Sequence, residues 1–250
     1  MNLLGSSKPS DRSDELPNKM VAPRKTDLDL SLKLKTASAL SASGYSCRLN
    51  VSLSAVGDLG LADVTDIDVL AIARDITFTP HMICISCKAG GNAIVAKELF
   101  YLRGVLHYVG GDEGILLLSG KDIPPHLREL AASLSLLILA MDEVVQWHAS
   151  LVNGVHVPGY FEEKMFEEYQ KALRAIPASQ GIGLFIIADY WFYRDFRNVQ
   201  NLISYFKKYV ASLNGKSQLH TTQFLDIAWH FSQTLLDLCL HVQRGGIRRL

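Results

Sequence analysis

Asp63-Val-Thr-Asp66-Ile-Asp68-Val-Leu-Ala-Ile-Ala-Arg-Asp75 and Met82-Ile-Cys84-Ile-Ser86-Cys87-Lys88-Ala-Gly90-Gly91-Asn92 decide how this 250-residue chain folds. Two apolar runs rich in Val and Ile, parted by a segment carrying Pro80, predict a pair of strands. Side chains alternate along a strand, so Asp66, Asp68 and Leu70 share one face, and Cys84, Ser86 and Lys88 share a face of the next. Adjacent strands would bring an acidic pair and a lysine to one sheet edge. Gly90-Gly91 breaks the second run, and Asn92 suits the N-cap of a helix over 93–106.

Outward from this stretch, residues 1–26 mix Ser, Pro, Lys, Asp and Arg and read as a flexible tail. Leu28, Leu30, Leu32 and Leu34 alternate like a strand, yet Leu30, Leu34, Ala37 and Leu40 also make a helical stripe, and a helix is expected over 28–43. Residues 47–53 alternate like a strand. In the helix after the motif, Val95, Leu99, Leu102 and Leu106 form one buried stripe. Residues 114–118 are a continuous apolar run, as in a buried parallel strand. Pro124-Pro125 opens a short helix to Leu134, and 136–140 offers a last strand. The order predicts an α/β domain over 27–143 with right-handed crossovers. Beyond it, 162–176, 184–212 and 221–242 read as helices of a separate all-helical domain at 150–243. The middle helix is heavily aromatic; the last carries Phe224, Ile227, Ala228, Phe231, Leu235, Leu238 and Val242 on one face.

The motif and the order around it resemble the PD-(D/E)xK nuclease superfamily, the restriction-endonuclease-like fold. There, a first Asp and a later acid-x-Lys on neighbouring strands hold a divalent metal and position a water. Asp68 matches the first acid and Lys88 the lysine, while Ser86 stands where Asp or Glu belongs. The resemblance spans roughly residues 27–143. It implies a nucleic-acid-acting protein, most directly a metal-dependent hydrolase of DNA phosphodiesters: an endonuclease of restriction, repair or antiviral-defence type. The alternative is a catalytically inactive nuclease-like module that binds DNA or a protein partner, with the helical domain as docking surface.

Asp66 and Asp68 two residues apart would repel unless a cation joins them, and an oxygen-lined site suits Mg²⁺ or Mn²⁺. Lys88 would then orient water or balance charge on phosphate. Ser86 is a poor ligand, and Glu98, at the border of the buried stripe of the following helix, is the candidate replacement acid. Expected metal ligands are therefore Asp66, Asp68 and Glu98, with Asp68, Lys88 and Glu98 the catalytic set. Lys97 and Arg103, with His107, could approach a nucleic-acid backbone from the same helix, or simply form a solvated face. Cys84-x-x-Cys87 fits neither a redox pair nor a zinc site, because positions i and i+3 of a strand point apart.

Lys+Arg and Asp+Glu balance at 25 each, so any basic surface must be local. Apolar residues at 48% and charged residues at 20% suit a globular protein. The first residues lack an apolar run of signal-peptide length, four cysteines suggest a reducing compartment, and the apolar patches are too short to span a bilayer. A cytoplasmic location with no membrane partner is expected. Gln243–Leu250 gives no clear domain end, which leaves a longer parent chain open.

Overall fold

A computed structural model describes residues 25–57, 60–75, 77, 79–88, 95–120, 122–152, 162–176, 181–192, 196–212 and 221–247. The expected tail, the Gly90-Gly91 break and the Asn92 cap fall outside these, apart from Lys25 and Thr26, which lie in the first helix. That helix, α1 (Lys25–Ala42), buries Leu32, Leu34, Ala37 and Leu40. Gly44, at φ 89°, ends it as a left-handed cap, and the Tyr45 amide returns to the Leu40 carbonyl at 3.0 Å.

Five strands form one mixed sheet in the order β1-β2-β3-β4-β5. The first three, β1 (Ser46–Gly57), β2 (Gly60–Arg74) and β3 (Pro80–Lys88), run antiparallel. β4 (Glu113–Leu118) and β5 (Leu137–Ala140) add in parallel through crossover helices α2 (Val95–Val109) and α3 (Pro125–Ser133). The architecture is α/β. Pro125 sits in the first turn of α3, where the missing N–H costs nothing. α2 buries the stripe Val95, Leu99, Leu102 and Leu106. α1 and α4 (Met141–Val152) pack together over the opposite sheet face.

The first two strands change faces midway. Cys47 and Leu49 of β1, with Val69 and Ala71 of β2, join the core under α1; Val51, Leu53 and Ile67 join the core under α2. The switch falls at Asn50, whose φ of 53° lies in the left-handed region that Asn tolerates. Leu49 pairs Val69 and Val51 pairs Ile67, while Asn50 and Asp68 drop out of the ladder between them.

Among the described residues no strand follows β5. The helices α5 (Glu163–Arg174), α6 (Ile182–Ile187), α7 (Phe196–Ser212) and α8 (Thr221–Ile247) have a core of their own around Tyr169, Ile182, Ile186, Tyr209 and Ile227. Yet Phe185, Tyr190, Trp191 and Leu202 belong to the same hydrophobic cluster as the sheet and α2, so buried contact continues across 143–150. The single helix expected over 184–212 is broken. After α6 the chain turns at Ala188 (φ −121°, ψ −77°) into a 3₁₀ turn, Asp189–Trp191. That turn drives the Tyr190 and Trp191 rings inward, where Trp191 Nε1 donates to the Ile186 carbonyl at 2.7 Å. α8 corrects part of its predicted face, on which Ile227 is buried and Phe231 packs against the core. Its buried line is Gln223, Ile227, His230 and Thr234, while Leu235 and Val242 are exposed. Polar contacts join Ile227 and Phe231 of the expected face in docking this helix.

Candidate functional site

β2 and β3 stay paired from Arg74↔Pro80 to Val69↔Ile85 and then part. The Asp68 side chain enters the gap. One of its oxygens, Oδ2, accepts the Cys87 backbone N–H at 2.7 Å and the Ser86 hydroxyl at 3.3 Å. The carboxylate thus takes the place of the next ladder partner. Lys33 approaches from α1 and sets its Nζ 2.7 Å from Asp68 Oδ1. The same ammonium donates to Asn50 Oδ1 at 2.8 Å and lies 3.5 Å from Asp29. The left-handed turn at Asn50 therefore serves a purpose: it presents an acceptor to Lys33 where the two strands change faces.

Both ends of the Lys33–Asp68 pair are about nine-tenths buried. Burial disfavours charge on Lys33, but the Asp68 carboxylate, with Asp29 and Asp66 behind it, outweighs that cost and holds the lysine above its ordinary pKa. The Cys87 thiol is pushed well up, first by burial and then by the Asp68 charge, so it is a protonated, inert core group. Cys84 and Cys87 lie in different hydrophobic clusters, as strand alternation requires.

Asp66 is exposed while Asp68 is buried. The cation that accommodates Asp68 is Lys33, which the sequence reading passed over. Its signal was present, because Lys33 interrupts the buried stripe of Leu30, Leu34 and Ala37 at helical spacing. Lys88, at the end of β3, lies 3.5 Å from Glu98 of α2. The expected Lys88 and Glu98 are thus together, and Asp68 is held separately by Lys33. Among the described residues no group of three His, Cys, Asp or Glu side chains could hold a metal ion. The Asp68 oxygens are already taken by an ammonium, an amide and a hydroxyl, so in this arrangement the donor set does not suit Mg²⁺ or Mn²⁺. Lys97 and Arg103 are exposed on the outer side of α2, beside exposed Phe100, Tyr101 and Tyr108.

A second polar cluster, unforeseen in the sequence, lies toward the other end of β2. Arg48 of β1 is ion-paired with Asp226 of α8, and Tyr169 donates to Asp226 at 3.1 Å. The Arg48 guanidinium also lies 5.3–5.7 Å from the ring centres of Tyr169, Trp191 and Trp229. His230 is wholly buried against Tyr190, Trp191 and Trp229. Burial, then the Arg48 charge, pushes its pKa down to about 4. Its Nδ1 meets the Asp226 carbonyl at 2.6 Å, whereas Nε2 has no partner among the described residues. Arg74, further along β2, bonds Asp237 (2.7 Å) and Gln233 (3.2 Å).

No helix among the described residues is long and apolar enough to cross a membrane. Compared with protein families, curated proteins and solved structures, the chain matches none.

Proposed function

We propose that this chain is a nuclease-like module of PD-(D/E)xK type that binds nucleic acid, and that its motif aspartate serves the fold rather than a metal ion. Support for the fold reading comes from the order α1-β1-β2-β3-α2-β4, with β3 and β4 parallel and Asp68 and Lys88 on adjacent strands. One observation carries the functional reading: both oxygens of Asp68 are held inside the protein, by Lys33 on one side and the Cys87 amide on the other. An ion pair this buried resists separation, because removing either partner leaves an uncompensated charge. The exposed Lys97 and Arg103 of α2 supply the backbone-facing cations.

A second reading, active DNA hydrolysis, is favoured by the Lys88–Glu98 contact, which brings a carboxylate to the motif lysine where Ser86 supplies none. One pair of measurements separates the two. Duplex DNA binding in a chelator should persist, and the double variant Lys97→Ala/Arg103→Ala should reduce the salt slope by about two. Plasmid incubated with Mn²⁺ should remain intact. Mn²⁺-dependent nicking that is lost in Asp68→Asn would establish the active reading, and a salt slope unchanged in the double variant would remove the α2 interface.

A further inference from the structure

A cleft of about 290 Å³ opens where the far ends of β1, β2 and β3 meet α8 and the 3₁₀ turn. Its working residues are Tyr190 and Trp191 of the 3₁₀ turn, Arg74 of β2, and Trp229, Gln233 and Asp237, which follow one another turn by turn along one face of α8. Arg74 and Asp68 stand at opposite ends of the same strand stretch, about 20 Å apart at ordinary strand rise, so nothing here rests on the nuclease-like reading.

Three properties narrow what such a cleft takes. Its size falls just below the roughly 300–1,000 Å³ of small-molecule sites, which suits one ring system or a nucleoside and not an oligomer. Its charge is balanced: Arg74 pairs with Asp237, and Arg48, behind the aromatic wall, pairs with Asp226. A phosphate or other anion therefore finds no surplus cation. Its polar groups are complementary along one edge. Arg74 Nε donates to Gln233 Oε1 and Arg74 Nη1 meets Asp237 Oδ1, which leaves the Gln233 amide nitrogen as donor and the second Asp237 oxygen as acceptor. These two residues are one turn apart on α8 and so lie side by side. An indole wall next to a donor–acceptor edge matches a flat heterocycle with acceptors and N–H groups along its rim.

A second feature sets this wall apart from ordinary core. His230 packs against all three aromatic residues with its Nε2 unsatisfied among the described residues. A buried polar atom without a partner costs stability, and packing alone gives no reason to keep one behind a cleft.

We propose that the cleft binds a single nitrogenous base, that of a free nucleoside or of an unpaired nucleotide in a strand, stacked on the Trp229–Trp191 wall and read along its edge by Gln233 and Asp237.

Ligand-observed NMR and calorimetry on the full chain test this with adenosine, guanosine, cytidine and uridine, with a short single-stranded oligonucleotide, and with inorganic phosphate. At least one nucleoside should saturate below about 10 mM. Trp229→Leu should weaken that binding about tenfold or more, Trp229→Phe should retain most of it, and Asp237→Asn should change the order of preference among the four bases. Should Trp229→Leu fail to fold, Gln233→Leu replaces it with the same expected loss. An oligonucleotide that binds tighter than any nucleoside and is displaced by one identifies the source as a strand; nucleoside binding without oligonucleotide binding identifies a free ligand. Failure of every nucleoside and of the oligonucleotide overturns the proposal. So does phosphate displacing the bound nucleoside, or nucleoside affinity unchanged in the Trp229 and Asp237 variants.

Discussion

Two buried cations on consecutive elements, Lys33 of α1 and Arg48 of β1, are handled in different ways. Lys33 meets the Asp68 carboxylate and the Asn50 amide oxygen, with Asp29 at 3.5 Å; its partner Asp68 is completed by the backbone of β3. Arg48 meets a carboxylate too and donates to the Tyr169 hydroxyl at 3.2 Å, but its guanidinium also lies beside three aromatic rings. The difference follows the side chains. A compact ammonium needs discrete acceptors, whereas a flat guanidinium can add stacking on aromatic rings to its hydrogen bonds. It also separates the roles. The lysine site fills a gap in the sheet ladder and leaves little for a ligand to do. The arginine site backs a cleft with room in it.

The largest expected effect tests whether Lys33–Asp68 is structural. Lys33→Met should cost about 3–5 kcal/mol, because it leaves Asp68 charged and buried with only an amide and a hydroxyl. Lys33→Met combined with Asp68→Leu should recover much of that loss, as paired apolar replacements of buried ion pairs often do. Urea unfolding of the three proteins measures this. A structural pair predicts that Mn²⁺ leaves the midpoint of Lys33→Met unchanged. If Mn²⁺ restores it, Asp68 is a metal ligand that Lys33 merely occupies, and the two sites are less different than drawn. The raised Lys33 pKa has its own signature. A group with a folded pKa above its unfolded value stabilises fully below about 10.5 and loses that contribution as pH rises through the folded value.

The aromatic site should break from the acid side instead. His230 is held neutral with a pKa near 4, below the 6.5 of an exposed imidazole, so between these values the unfolded chain binds a proton that the folded chain refuses. Its contribution is intact above pH 6.5 and is lost as pH falls toward 4, on the order of 3 kcal/mol in all. His230→Gln should flatten the pH dependence of the thermal midpoint across that window. An unchanged slope would mean that other groups govern acid stability and that His230 is reached by solvent.

How much of this was legible depended on whether a signal was local. Apolar runs and turn residues placed α1 within a few residues, ordered the five strands and identified the buried stripe of α2, because periodicity and caps act over neighbouring residues. Asp68 and Lys88 were found on adjacent strands for the same reason. Lys33 was not found, since a lysine in an apolar stripe has meaning only once α1 lies over the strand carrying Asp68. The face switch at Asn50 was hidden too, as the alternation of 47–53 continues through it unbroken. In α8, counting apolar residues found Ile227 and Phe231 but missed the buried Gln223, His230 and Thr234. Asp226, Gln233 and Asp237, which help to anchor it, bond to Arg48 and Arg74, more than 150 residues earlier in the chain, and a helix pattern contains no trace of such partners.

The smallest expected effect on stability falls on the pair that active hydrolysis would depend on. Lys88 and Glu98 are partly exposed and 3.5 Å apart, so solvent screens them and Glu98→Gln should shift the unfolding free energy by less than about 1 kcal/mol. That near-silence is useful, because a variant that folds like its parent gives an interpretable activity result. If Glu98 supplies the acid that Ser86 lacks, Glu98→Gln should abolish Mn²⁺-dependent nicking as fully as Lys88→Ala, and Ser86→Glu should restore it at least partly. If Asp68 is purely structural, no member of this set cuts, and duplex binding is the same in all except where Lys88 itself touches the phosphates. Cleavage that survives both Glu98→Gln and Lys88→Ala would move the chemistry away from this edge of the sheet. The Lys88–Glu98 contact would then be an ordinary surface ion pair, worth no more to the protein than its small contribution to stability.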